Sequence, residues 1–240
     1  RSLLLRTVLA IVIVLVILVS GFAVLYLIRA PPSLFARDVI AIIDLDERTD
    51  VVDGYYGLFG QAELDYILSL VEYAYRNESI RAVVLRVDSP GGVASFGEEL
   101  YYSVKRLREA KPVVASVIGL SASASYMIPS ASTYIYATPT SIVGSIGAYL
   151  FPMPQKFGPI EETILAETGP YKVSPSEIGM MSILQDALTS FLGIVQAERG
   201  QKLRVSAAEL SKALDYSGLK AKALGLVDEL GSTKDAVAKA

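Results

Sequence analysis

The chain of 240 residues contains no histidine and no cysteine. Without an imidazole, the Ser-His-Asp triad and every Cys-His variant are excluded, so a hydrolytic serine here would need a lysine as its base. The lack of cysteine also excludes a disulfide framework, which leaves an extracytoplasmic location open. The formal net charge of −3 provides no basic surface for nucleic acid, so we expect no nucleic-acid partner.

Charge is also missing from a long apolar run near the N-terminus. Residues Thr7 to Ile28 carry no charged side chain, and about 20 apolar residues cross a bilayer core as a helix. A cleaved signal peptide is the alternative, but its apolar core is shorter, and Arg29 to Pro32 is a poor small-residue cleavage site. We therefore predict an uncleaved membrane anchor over residues 1–30, with the span at about 7–28, and a tether over residues 31–38.

The charges around this run favour one orientation in the membrane. Arg1 and Arg6 precede the run and favour a cytoplasmic N-terminus, although Arg29 and Arg37 follow it and weaken the bias. We expect a single-pass protein of the cell membrane whose residues 39–240 lie on the extracytoplasmic side.

Strand-like and helix-like segments alternate along residues 39–240. The β-branched runs at 39–45 and 82–87 are typical of strands covered on both faces, and residues 61–76 between them have helical apolar spacing. Further helices are predicted at 97–108, 123–132, 178–198 and 207–214, and further strands at 113–118 and 134–137. This alternation predicts an α/β fold with a largely parallel sheet.

Two segments of small residues follow predicted strands. Ser89-Pro90-Gly91-Gly92 lies where ligands of α/β sheets bind, and its glycine N–H groups can face an oxyanion, although an ordinary turn has the same composition. Ser121 to Ser125 precede a predicted helix, so one of these serines is either a nucleophile or a helix cap.

The candidate base is Lys172, in the loop-like stretch 169–175. A lysine with its ordinary pKa of about 10.4 is a poor base at neutral pH, so it must be desolvated to accept a proton. Most lysines in loops are solvated, and the sequence alone leaves both states open.

Four stretches of the chain resemble successive motifs of the signal peptide peptidase A family, in its short single-domain form. They are VVLRVDSPGG at 83–92, the run from Lys111 to Leu150, ETGPYKVSPSE at 167–177 and YSGLKAKALGLVDELG at 216–231. The family comprises membrane-anchored serine-lysine proteases related in fold to the Clp protease and the crotonases. The resemblance implies a Clp/crotonase-like protease domain of repeated β-β-α and βαβ layers over residues 39–240.

The resemblance also assigns roles to individual residues, aligned through Tyr126. The family pattern places the nucleophile at Ser123, the general base at Lys172, the oxyanion N–H groups at Gly91, Gly92 and Ala124, and a lysine-orienting hydroxyl at Ser145. The sequence departs from the family where Ala124-Ser125 replaces the usual Gly-Gly. This departure leaves Ser121 and Ser125 as rival nucleophiles.

The implied activity is a serine endopeptidase with a Ser-Lys dyad that degrades remnant signal peptides and other hydrophobic peptides, without cofactor or metal. The resemblance further implies a homo-oligomer, with an octamer as the expected form. Three alternatives are a stomatin-directed membrane protease that also uses serine and lysine, a crotonase-type acyl-CoA enzyme, and an inactive membrane-tethered scaffold. In the scaffold, Ser123 would only cap a helix and Lys172 would be exposed.

Overall fold

The computed structural model describes residues 2–29, 38–46, 61–150 and 176–240. The chain divides into two compact units, Arg1–Asp38 and Val39–Ala240. The first unit contains helix α1, Ser2–Arg29. Its segment Arg6–Tyr26 has a mean hydropathy of 3.3 and is long and apolar enough to cross a membrane, as the uncharged run predicted.

The second unit is built around a seven-stranded sheet. Its strands are β1 (Val39–Asp46), β2 (Ile80–Ser89), β3 (Val113–Ala122), β4 (Tyr134–Ala137), β5 (Ile142–Gly144), β6 (Asp215–Ser217) and β7 (Glu229–Leu230). Its helices are α2 (Gln61–Arg76), α3 (Ala94–Ala110), α4 (Ala124–Ser130), α5 (Glu177–Arg199), α6 (Ala207–Leu210), α7 (Gly218–Leu224) and α8 (Thr233–Lys239). The predicted α/β class is confirmed.

The sheet forks at the end of β3. Strands β1, β2, β3, β4 and β7 lie side by side in that order and are parallel. Residues Val114 to Val117 of β3 pair with β4, whereas Leu120 to Ala122 pair with β5. Strand β6 then pairs antiparallel to β5. The fork lies directly before Ser123 and opens the carboxyl end of the sheet at that residue.

The two faces of the sheet are covered unequally. The main core lies between one face and helices α2 to α5, and it includes Leu85, Leu107, Tyr126 and Phe191. On the other face, Val84, Val114 and Ala236 form a small cluster under α8. Strand β2 is buried along both faces, as its β-branched run predicted.

The same prediction is wrong for β1. This strand lies at the edge of the sheet, pairs with β2 alone among the described strands, and alternates between buried and exposed residues. Ile43 and Leu45 face the core, while Ile40 and Ile42 are exposed. A run of β-branched residues therefore does not by itself distinguish a central strand from an edge strand.

A buried ion pair fixes the end of α5 in the second unit. The guanidinium of Arg199, 1% exposed, donates to both carboxylate oxygens of Asp228 at 2.9 and 3.0 Å and to the carbonyl of Gly225. Burial alone would raise the pKa of Asp228, but hydrogen bonds from Arg199 and Lys202 outweigh it and hold that pKa below its ordinary value. Asp228 also accepts the N–H of Ile135 at the start of β4. Helix α5 is also long and apolar enough to cross a membrane, but its C-terminal half is buried in the core.

Candidate active site

Ser123 lies on a strained turn between β3 and α4. Its backbone has φ 53° and ψ −139°, a conformation that residues with a side chain rarely adopt. Nucleophilic serines of α/β hydrolases lie on such strand-to-helix turns, because the turn projects the hydroxyl out of the sheet. Ser123 is partly exposed, and its side chain makes no capping hydrogen bond to the described backbone of α4. The geometry therefore disfavours the interpretation of Ser123 as a helix cap.

The two neighbouring serines have a different environment. Ser121 and Ser125 are fully buried, and neither hydroxyl has a hydrogen-bond partner in the part of the chain that the structure describes. A peptide carbonyl cannot reach a buried hydroxyl without local opening of the fold. Accessibility therefore favours Ser123 over both rivals, a distinction that the sequence could make only through alignment at Tyr126.

The glycine loop after β2 packs directly on this turn. Gly91 has φ 103°, and a methyl carbon on it would lie 2.6 Å from both the Ala122 carbonyl oxygen and Ser123 Cβ. Only glycine permits both the positive φ and the close approach. The N–H of Gly91 donates a long 3.3 Å bond to Ser89 Oγ. The N–H of Ala124 stands in the first turn of α4, where helical N–H groups have no intrahelical partner.

Ser145 reaches the same site from β5. The Ser123 N–H donates to the Gly144 carbonyl at 2.9 Å, and the Ser145 N–H donates to the Leu214 carbonyl at 3.0 Å. Gly144 and Ser145 both have positive φ, at 124° and 51°, and Ser145 is partly exposed. The structure therefore brings together Ser123, Ala124, the glycine loop and Ser145.

Lys172 lies outside the described residues. The pairing of Ser123 with Lys172 therefore stays a prediction. Within the described ranges, no group of three or more acidic side chains is placed to hold a metal ion.

Asp88 is a buried acid near the candidate site that the sequence analysis did not single out. It is buried, and its Oδ1 accepts the N–H of Leu120 at 2.9 Å, at the irregular pairing between β2 and β3. The Asp88 carboxylate thus accepts a backbone N–H of β3 just before the turn, where a backbone carbonyl of β2 would accept it in a regular sheet. Gly119 leaves room for it, because a methyl carbon there would lie 2.2 Å from Asp88 Oδ1. The signal in the sequence is an acid at the end of an apolar strand directly before Ser-Pro-Gly-Gly.

A buried tyrosine of helix α4 forms a hydrogen bond that fixes the helix to a neighbouring segment. Tyr126 is fully buried, and its hydroxyl donates to the Leu226 carbonyl at 2.6 Å. Burial raises the pKa of Tyr126, so the hydroxyl stays protonated and donating. This bond ties the turn at Ser123 to the segment that carries Asp228.

Comparison with known proteins identifies a peptidase family. The family model of peptidase family S49 matches residues 105–154, which include β3, the turn at Ser123 and Ser145. A Methanocaldococcus jannaschii protein whose name describes it as a protease, MJ0651, is 33% identical over 76% of this chain and 63% of its own length.

Two further relatives carry protease names. Protease 4 of Salmonella typhi is 32% identical over 83% of this chain and 32% of its own length. The chloroplastic serine protease SPPA of Arabidopsis thaliana is 28% identical over 84% of this chain and 32% of its own length. The chain thus spans less than two thirds of the length of each of these relatives.

The fold, the strained turn and these matches define the chain as a member of a protease family. It belongs to peptidase family S49, the signal peptide peptidase A family, as the order of its motifs predicted.

Proposed function

We propose that this protein is a membrane-anchored serine endopeptidase in which Ser123 is the nucleophile and Lys172 the general base. The observation that carries the proposal is the environment of Ser123. This serine is partly exposed, makes no capping hydrogen bond to the described backbone of α4, and lies on a strained turn that packs against the glycine loop. In a chain without histidine or cysteine, a lysine can activate this serine in place of an imidazole, as in the Ser-Lys variants of the triad.

The proposed reaction is acyl transfer. Neutral Lys172 accepts the proton of Ser123, whose Oγ attacks the peptide carbonyl carbon, and the proton then passes to the leaving amine. The oxyanion lies against the N–H groups of Ala124 and of the Gly91-Gly92 loop. The long Gly91 bond to Ser89 Oγ can be exchanged for a bond to the oxyanion. Water then hydrolyses the acyl-enzyme, while Ser145 orients the lysine.

We expect Lys172→Ala to lower kcat/KM at least about a hundredfold, because general-base catalysis contributes roughly 10²- to 10⁴-fold. The assay is hydrolysis of casein and an apolar fluorogenic peptide by the whole chain in detergent. Lys234→Ala is the control, since Lys234 is an exposed lysine on α8 and should leave the rate unchanged. Full activity of Lys172→Ala would remove the proposed base.

The proposed substrates are remnant signal peptides and other hydrophobic peptides. The apolar helix Arg6–Tyr26 supports a location at the membrane, where such peptides are left after secretion. We propose a single-pass topology with a cytoplasmic N-terminus and the protease domain on the extracytoplasmic side. Protection of residues 39–240 from added protease in inside-out vesicles, with digestion in right-side-out vesicles, is the expected result.

We also propose that the chain assembles into a homo-oligomer, with an octamer as the expected form. The support is the N-terminal half of α5, which exposes Ile178 at 84% and Met181 at 60%. Its C-terminal half, by contrast, buries Phe191, Ile194 and Val195. Exposed large apolar side chains clustered on one helix are typical of an interface between subunits.

A double variant tests this assembly. Ile178→Glu with Met181→Glu should shift the protein to smaller species in light scattering coupled to gel filtration, since assembly through this helix would then bury two unpaired carboxylates of each protomer. Gln196→Glu, an exposed position on the same helix, is the matched control and should leave the mass unchanged. An unchanged oligomer mass in the double variant would contradict this interface.

A further inference from the structure

Helix α3 contains a glycine whose position in the helix is unfavourable by itself. Gly97 lies in the first turn of α3, where its N–H donates to the Val93 carbonyl at 3.2 Å. Glycine lowers the stability of a helix relative to alanine. Gly97 is buried, so the atoms packed around it can explain why no side chain is present there.

Gly97 touches the residue after the proposed nucleophile. A methyl carbon on Gly97 would lie 2.8 Å from the carbonyl oxygen of Ala124 and 2.9 Å from its Cβ. Real Cβ atoms do not approach other atoms this closely, so α4 or α3 would have to move. The contact involves backbone atoms of Ala124, which cannot rotate out of the way as a flexible side chain would.

Gly91 and Gly97 both contact the turn at Ser123, one from the loop after β2 and the other from helix α3. Gly91 packs on Ala122 and Ser123 from the loop, and Gly97 packs on Ala124 from α3. The backbone from 122 to 124 therefore has its position set by two glycines that are six residues apart in sequence. Any side chain at either position displaces the residues that hold the Ser123 hydroxyl and the Ala124 N–H.

We propose that Gly97 is a positioning residue for catalysis, because its missing side chain sets where the Ala124 N–H stands relative to Ser123. The inference rests on the proposed function, in which that N–H stabilises the oxyanion. It also accounts for the methyl group at 124, where the family pattern has glycine: the space for the Ala124 Cβ is supplied by Gly97. The side chains at 97 and 124 are therefore coupled in size.

The test is a double-mutant cycle on the whole chain in detergent. Gly97→Ala should lower kcat about ten- to a hundredfold, since displacing reacting groups by about 1 Å has effects of that size, while KM changes less than about threefold. Ala124→Gly is the second single variant of the cycle. Adding it to Gly97→Ala should raise kcat at least about threefold more than adding it to the wild type does, a coupling that independent sites do not show. Gly193→Ala is the control and should keep full activity, because among the described residues no atom beyond its own stretch of helix lies within 4 Å of the added carbon.

Rates are expressed per active site, counted with a phosphonate probe at saturation, and melting is followed by circular dichroism. A Gly97→Ala protein with wild-type kcat per site overturns the proposal, even if it melts at a lower temperature, because the effect would then be structural only. Loss of activity without recovery in the double variant overturns the coupling. If Gly97→Ala does not fold, an inactive double variant overturns the proposal. A wild-type chain that neither hydrolyses peptide nor takes the probe overturns the protease function itself, which distinguishes that failure from a failure of Gly97.

Discussion

Replacing Ser123 with alanine lowers kcat at least about 10⁴-fold, because removing the nucleophile of a serine protease eliminates the covalent route altogether. The fold should survive the change. Ser123 makes no capping hydrogen bond to the described part of α4, so alanine removes no bond that holds the start of this helix. Circular dichroism and the oligomer mass should therefore match those of the wild type.

The matched controls are Ser121→Ala and Ser125→Ala. Both hydroxyls are buried without a hydrogen-bond partner among the described residues, so alanine removes an unfavourable buried polar group. We expect both variants to stay within about threefold of the wild-type rate, an effect far smaller than the loss of an oxyanion-hole donor. Survival of activity in Ser123→Ala together with its loss in either control would move the nucleophile to that control position.

The second large effect is on stability. Asp228→Ala should lower the free energy of unfolding by about 3–5 kcal/mol, the usual cost of removing one partner of a buried ion pair. The variant leaves the guanidinium of Arg199, which is 1% exposed, with the carbonyl of Gly225 as its remaining described acceptor. It also leaves the N–H of Ile135 without the carboxylate that accepts it.

The neighbouring lysine provides the control for this prediction. Lys202 contacts Asp228 at 2.7 Å, but its side chain is 48% exposed. Lys202→Met should therefore cost less than about 1 kcal/mol, since exposed ion pairs contribute little. Urea unfolding followed by circular dichroism measures both variants. Equal losses in the two variants would mean that burial of Arg199 does not determine the cost.

The contribution of Asp228 also has a defined pH dependence. Its pKa is lowered in the folded protein, so its stabilisation is complete above the ordinary carboxyl pKa of about 3.9 and is lost as the pH falls through the lower folded pKa. The difference between wild type and Asp228→Ala should stay constant from pH 7 to about pH 5 and narrow below about pH 4. A difference that grows on acidification would contradict the direction of this shift.

The sequence predicted the layered fold, because β-branched runs and helical spacing are local signals. Helix α2 and strand β4 have the predicted ends, at 61–76 and 134–137. Strands β5 and β6 have three residues each, too few for any period, so they were missed. The predicted helix at 207–214 ends at Leu210, because β6 follows almost at once.

The sequence proposed residues for the candidate site but not how they are arranged in space. The choice of Ser123 depends on its positive φ and on the burial of Ser121 and Ser125, which arise from β3, α3 and α4 meeting at one point. The roles of Asp88 and Gly97 likewise depend on contacts between segments distant in sequence. Such contacts have no local pattern, so no reading of residues along the chain finds them.

The measurement that tests the central claim most directly is the site of labelling by an active-site phosphonate. The whole chain in detergent is incubated with the probe, digested, and the modified peptide is sequenced by fragment-ion mass spectrometry. A single adduct on Ser123, formed much more slowly in Lys172→Ala, is the result that the proposed dyad predicts. An adduct on Ser121 or Ser125, or no adduct on a folded and assembled protein, would contradict it.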